Sequence, residues 1–201
     1  SLRRDSFNQK LAAIAAQGAR EAGAEVTLIA LRDFPLPVFD QDLEAAQGKP
    51  EAAARLKALF LEHDGLIIAS PEYNSSVTAA LKNAIDWASR PWGQNSFARK
   101  PSAVIGTSPG AIGTAIAQQQ LRSVLSFCNS PQMNAPEAYI QFKPGLIDDE
   151  GVVIEAAGSV TEGMLGTGFI YTNKESLSVG IGCLVSDFVD TGITPYGLLE
   201  R

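Results

Sequence analysis

Three short stretches gather the side chains that could do chemistry. At the opening of the chain, Ser1, Arg3, Ser6 and Asn8 put two hydroxyls, a guanidinium and an amide within eight residues, directly ahead of a helical pattern. Such groups, with the free backbone N–H groups of a helix N-terminus, suit an anion such as a phosphate. The plainer alternative is a capped helix with surface arginines. The second stretch, Ser70-Pro71-Glu72-Tyr73-Asn74-Ser75-Ser76, is polar and aromatic. The third, Ser108-Pro109-Gly110-Ala111-Ile112-Gly113-Thr114, carries glycines that let a backbone come close to a flat ligand. Nucleophilic machinery is missing: His63 is the only histidine, and Cys128 and Cys183 lack metal-ligand spacing. Ser-His and Cys-His hydrolysis therefore fall away, and the cysteines read as two buried thiols.

The elements around these stretches decide where they sit. Leu66-Ile67-Ile68-Ala69 is a short apolar run after Gly65, the pattern of a strand buried on both faces of a parallel sheet. From Val77 the apolar residues Leu81, Ala84, Ile85 and Ala88 follow at helical spacing until Pro91. The second stretch then lies at the carboxyl end of a strand, where open α/β sheets bind their ligands. Upstream, a helix is expected from Ser6, with Phe7, Leu11, Ile14, Ala15 and Gly18 on one face and a stop near Gly23. Val26–Leu31 reads as a strand, the proline-rich run 33–40 as irregular, and Pro50 as the start of a helix with Leu56, Leu59 and Phe60 inward. His63 falls at the amino end of the sheet, away from the site. A fourth strand over Pro101–Thr107 leads through the third stretch into a helix that partly buries Ile116, Val124, Leu125 and Cys128, and Glu137–Phe142 reads as a fifth strand.

Ser70-Pro71-Glu72-Tyr73-Asn74, with Ser76-Val77, then Leu81-Lys82-Asn83-Ala84-Ile85-Asp86-Trp87 and Ser89-Arg90-Pro91, resembles the signature of the NADPH-dependent FMN reductase family. These are flavodoxin-like flavoenzymes that include quinone, azo-dye and chromate reductases. The opening block from Ser1 to Asn8 is similar to that family's phosphate loop, and Thr107 to Gly113 supports it; together they span about residues 1–150. The resemblance implies an α/β, doubly wound parallel sheet of order 2-1-3-4-5, with FMN as cofactor and NADPH or NADH as electron donor. Ser1, Arg3, Ser6 and Asn8 would hold the FMN phosphate. Pro71, Glu72, Tyr73 and Asn74 would line the ring largely through backbone groups, and Ser108, Gly110 and Gly113 would border its other edge. Tyr73 either stacks near the ring or packs; Glu72 acts as a general acid or serves backbone placement. The flavin carries the chemistry, so no catalytic residue and no metal is expected. Arg90 is a candidate for the NADPH phosphate, and Lys82, Asn83 and Asp86 read as a solvated face. A homodimer or homotetramer is implied, with Trp87, Trp92, Arg122 and Glu137 as interface candidates. Electrons would pass by a ping-pong cycle to a quinone, azo compound or similar small acceptor.

Two departures accompany the likeness. The resemblance implies an apolar strand ending in Gly-Ser ahead of the phosphate loop, whereas this sequence opens inside the loop; its absence would expose the edges of strands 2 and 3, so either the sequence is truncated or another segment fills the slot. Residues 151–201 hold nine of the eighteen glycines and only two basic residues, Lys174 and Arg201. Within them, residues 163–180 resemble an internal β-hairpin of FAD-dependent oxidoreductases related to electron-transfer-flavoprotein dehydrogenases. This part is read as an atypical C-terminal extension, either a chimeric or frame-disrupted end or a fusion remnant, and of low order unless Val152–Ala157 finds a partner, the missing strand's slot being one place for it.

The composition supports a globular domain: 201 residues, 45% hydrophobic and 19% charged. A net charge of -6 and a pI near 4.8 provide no basic field for nucleic acid. No apolar run reaches the roughly 20 residues that span a bilayer, and the start carries no signal-type apolar region, so a cytoplasmic protein is expected. Two rival readings remain: a flavodoxin-type electron carrier, and a flavin-free, non-catalytic relic.

Overall fold

Leu66–Ala69 forms β1 and runs parallel to β4, Ser102–Ser108, with Leu66 opposite Ser102 and Ala69 opposite Ile105. The far end of β4 pairs in parallel with β5, Tyr139–Gln141, from Gly106 opposite Tyr139 to Ser108 opposite Gln141. The sheet order β1-β4-β5 fills the last three places of the expected 2-1-3-4-5. The structure, a computed structural model, describes residues 1–147 and, by backbone alone, 166–172 and 177–183.

Helices α1 (Phe7–Glu21), α3 (Glu51–Glu62), α4 (Ala79–Ala88) and α5 (Ala115–Phe127) follow the periodicity, except that Ile116 of α5 is exposed and its buried face runs through Ala117, Leu121 and Leu125. Gly23, with φ +90°, donates its N–H to the Arg20 carbonyl at 2.9 Å and closes α1 in the left-handed conformation that glycine adopts readily. α4 starts two residues later than its apolar pattern, because the Thr78 hydroxyl accepts from the Leu81 N–H and caps it. A short helix that periodicity missed, α2 (Gln41–Gln47), is opened by Asp40, whose carboxylate accepts from the N–H groups of Asp42 and Leu43.

The core lies against β4. Val104 packs with Ile85 and Ala88 of α4, Leu121 and Leu125 of α5, Phe97 and Cys128, all nearly or fully buried. The proline-rich run is held on α4: the Pro37 carbonyl accepts from Asn83 Nδ2 at 2.9 Å and Trp87 Nε1 at 2.8 Å, and the Phe39 N–H donates to Asn83 Oδ1 at 2.8 Å. Asn83 thus binds a loop rather than solvent, while Lys82 and Asp86 form an exposed pair at 2.7 Å.

One expected strand is corrected. Val26–Ala30 does not belong to a ladder, and Leu31–Asp33 is a 3-10 turn. Ala30 keeps extended dihedrals (φ -119°, ψ 132°), so the segment has strand geometry without a partner. In the order 2-1-3-4-5 its only neighbour is the first strand, which the described residues do not supply, and a strand cannot form alone. His63 caps α3 on the Leu59 carbonyl at 2.7 Å and meets the Thr27 hydroxyl at 2.8 Å, which holds the near end of this segment.

The chain divides into two compact units: Ser1–Ala15 with Thr27–Lys143, which carries the sheet, and Ala16–Val26 with Pro144–Arg201. In the second, β6 (Gly166–Thr172) and β7 (Leu177–Cys183) pair antiparallel over seven residues, from Gly166 opposite Cys183 to Thr172 opposite Leu177. The expectations for Val152–Ala157 and for low order in the remaining tail fall outside the described residues.

Candidate functional site

The opening loop ends in α1, and the Ser6 carbonyl accepts the first helical bonds, from Gln9 at 3.0 Å and Lys10 at 3.2 Å. The N–H groups of Phe7 and Asn8 precede these and have no carbonyl within the helix to bond. Ser6 and Asn8 are buried, while Arg3 is exposed, its guanidinium donating to the Asp5 carbonyl at 2.6 Å and lying 5.2 Å from the Phe7 ring centre. The Ser1 hydroxyl accepts from the Arg3 N–H at 3.2 Å. A residue that sequence reasoning missed supports the loop from below: Arg32 Nη2 donates to the carbonyls of Leu2 at 3.1 Å and Arg3 at 2.6 Å. Nothing in the spacing announces a contact across about thirty residues.

The second stretch is a small hairpin rather than an irregular loop. β2 (Glu72–Tyr73) pairs antiparallel with β3 (Ser76–Val77), and Asn74 and Ser75 turn between them with φ +52° and +55°. Two left-handed residues between two strands make a type I′ turn, and Asn in the first place was its sequence signal. The Glu72 carboxylate accepts from the Ala117 N–H at 2.9 Å, in the first turn of α5, where the helix dipole favours a negative charge. This commits Glu72 to holding the hairpin on α5. Gln120 adds two bonds, accepting from the Ser76 hydroxyl at 2.7 Å and donating to the Ser75 carbonyl at 3.1 Å. Ser70 and Pro71 are buried beneath, and Tyr73 and Asn74 are exposed above.

In the third stretch, the Ser108 hydroxyl donates to the Gly113 carbonyl and accepts from the Gly110 N–H at 3.2 Å. The two glycines differ in their reasons. Gly113 has φ +60°, and a Cβ there would come within 2.7 Å of the Ile140 backbone nitrogen, so its packing against β5 excludes a side chain. A Cβ on Gly110 would meet only Ser108 Oγ at 3.4 Å, which leaves that backbone approachable. All three stretches meet at the carboxyl end of β4: at Gly106 a Cβ would strike both Thr114 Oγ1 and the Ser70 carbonyl, and the Asn8 amide bonds the Thr107 backbone.

Arg90 lies elsewhere. Its Nε and Nη2 reach Glu44 Oε2 at 2.8 and 2.7 Å, its guanidinium stands over the Phe39 ring, and the hydrogen bond to Glu44 raises its already high pKa. The group proposed for the NADPH phosphate is thus already engaged. Of the interface candidates, Trp87 is fully buried and Arg122 nearly so, the latter 3.1 Å from the Tyr139 hydroxyl and 3.6 Å from Glu137; Trp92 is 80% exposed. Burial pushes the Cys128 thiol up, as befits a core residue. Among the described residues no helix is long and apolar enough to cross a membrane.

A parallel α/β sheet whose carboxyl end gathers an anion loop, an aromatic hairpin and a glycine loop defines a flavodoxin-like cofactor protein. The chain belongs to the NADPH-dependent FMN reductase family, which it matches over residues 1–145. It is 46% identical over 155 residues to a 2-hydroxy-1,4-benzoquinone reductase of Burkholderia sp, covering 77% of this chain and 81% of that protein. Its structure resembles FerB, a flavoenzyme NAD(P)H:(acceptor) oxidoreductase from Paracoccus denitrificans, with a TM-score of 0.68 and 44% identity over 76% of this chain and 81% of that one. A stretch of 66 residues, 33% of the chain, is 65% identical to Protein FixC of Azorhizobium caulinodans and covers 15% of it. The protein is an oxidoreductase with FMN as cofactor and NAD(P)H as electron donor. The first-turn N–H groups, which have no partner within the helix, and the exposed Arg3 guanidinium fit the FMN phosphate.

Proposed function

We propose that this chain passes electrons from NAD(P)H to a quinone or similar small acceptor, with donor and acceptor using one open face in turn. The observation that carries this reading is the convergence of three site stretches on the carboxyl end of β4. Ser1, Arg3, Ser6 and the first N–H groups of α1 bind the phosphate. The hairpin from Pro71 to Asn74 supports one edge of the ring, and Ser108 and Gly110 border the other. The bound flavin supplies hydride acceptance and electron release, so the chain needs no general acid of its own. Glu72, bonded to α5, sets the height of the hairpin, and exposed Tyr73 covers the ring edge against water.

The likeness to a benzoquinone reductase over most of both chains supports the acceptor class. The compartment this reading assigns is the cytoplasm. A homodimer or homotetramer belongs to this reading as what the family resemblance implies. Steady-state rates with NADPH and a benzoquinone, both varied, test the cycle: parallel double-reciprocal lines are expected. Intersecting lines would contradict alternate use of one face, and no turnover with added FMN would contradict the activity. Light scattering on the eluting protein reads the subunit number, and a monomer would remove the oligomer from this reading.

A further inference from the structure

Thr107 stands where β1 leaves the sheet. Ala69, the last residue of β1, is opposite Ile105, and the next N–H, of Ser70, donates to the Ile105 carbonyl at 3.0 Å. Alternate residues of a strand turn their backbone groups to alternate neighbours, so Thr107 presents its N–H and C=O to the same side as Ile105, into the place β1 has vacated. One side chain takes both. Asn8 Nδ2 donates to the Thr107 carbonyl at 2.8 Å, and the Thr107 N–H donates to Asn8 Oδ1 at 2.9 Å. Asn8 is 5% exposed and Thr107 1%, so without the amide two buried backbone groups would lose their partners.

We propose that Asn8 is a positioning residue: its amide adds one rung to the ladder of β4 and fixes the phosphate loop to the strand that ends at Ser108, just ahead of Gly110, serving the phosphate through the loop. A short side chain with a donor and an acceptor side by side is what such a rung requires. This differs from the direct phosphate contact expected from the sequence. It rests on the proposed placement of the phosphate over residues 1–8.

Two measurements on Asn8→Ala test it. In the flavin-free protein, hydrogen exchange at the Thr107 amide should quicken about tenfold or more, the loss of one buried hydrogen bond. Unchanged exchange would overturn the clamp. In binding titrations, FMN should weaken about tenfold while riboflavin, which lacks the phosphate, stays within about twofold. Equal weakening of both flavins would reduce Asn8 to a general stabilising role and overturn the proposal. Asn8→Asp keeps an oxygen for the Thr107 N–H, so that amide should stay protected to within about threefold of the parent. Loss of protection as large as in Asn8→Ala would count against the rung, and this variant carries the test if the alanine variant does not fold. If the parent protein itself binds riboflavin as tightly as FMN, the phosphate placement fails, while exchange at Thr107 still reports on the clamp.

Discussion

β1 and β4 are both parallel strands that hand over to a site stretch, yet the protein covers them unequally. β4 has neighbours on both edges and buries five of its seven residues, whereas β1 is paired on one edge among the described residues and leaves Ile67 53% exposed. Leu28, on the extended segment without a ladder, is 50% exposed. Among the described residues, then, β4 is buried where strands cover both its edges. The site follows the same division, since Asn8 reaches across to β4 and Glu72 to α5, the helix that follows it.

The largest test sets one strand against the other. Val104→Asp, which buries a charge in the core, should cost about 4 kcal/mol or more and unfold the protein, while Ile67→Asp should stay within about 1 kcal/mol. Equal losses in urea titrations would dissolve the contrast. Next is Glu72→Ala, expected to cost about 2 kcal/mol because it removes a charge-assisted bond to the Ala117 N–H. Glu72→Gln, which keeps an acceptor, should recover about half of that. Activity that falls with the alanine variant and returns with glutamine fits a hairpin support, and loss in both would point to proton transfer.

Cys128 reads the β4 side through pH. Burial raises its thiol above the ordinary value of 9.0, so its contribution to stability is complete below that value and is lost as pH rises through the folded one. At pH 8 the peptide containing Cys128 should resist alkylation in the native protein and label fully in urea. Native labelling at the unfolded rate would show a looser core. The smallest effect expected is from Ser75→Gly, a gain of about 0.5 kcal/mol from relieving a left-handed serine in the hairpin turn; a loss would mean that the Ser75 side chain matters more than its backbone.

How much of this was legible followed the range of the forces involved. Leu66–Ala69 and the helix that follows the opening loop are local patterns, and they stand where the sequence puts them. Val26–Leu31 has strand-forming residues and strand dihedrals, but a ladder needs a partner and none is described beside it. The hairpin at Glu72–Val77 has its sequence signal in Asn74 alone, because two-residue strands carry no periodicity. Arg32 under the opening loop, Arg90 on Glu44 and Asn8 on Thr107 join residues from 29 to 99 positions apart, which no spacing rule encodes.

The central claim is that these stretches hold an FMN that NAD(P)H can reduce. The most direct measurement is the visible spectrum of the purified protein reconstituted with FMN, before and after anaerobic NADPH. The account predicts bound-flavin bands near about 375 and 450 nm that bleach on addition of the donor. Flavin that binds without bleaching, or a protein that takes up none, would contradict it.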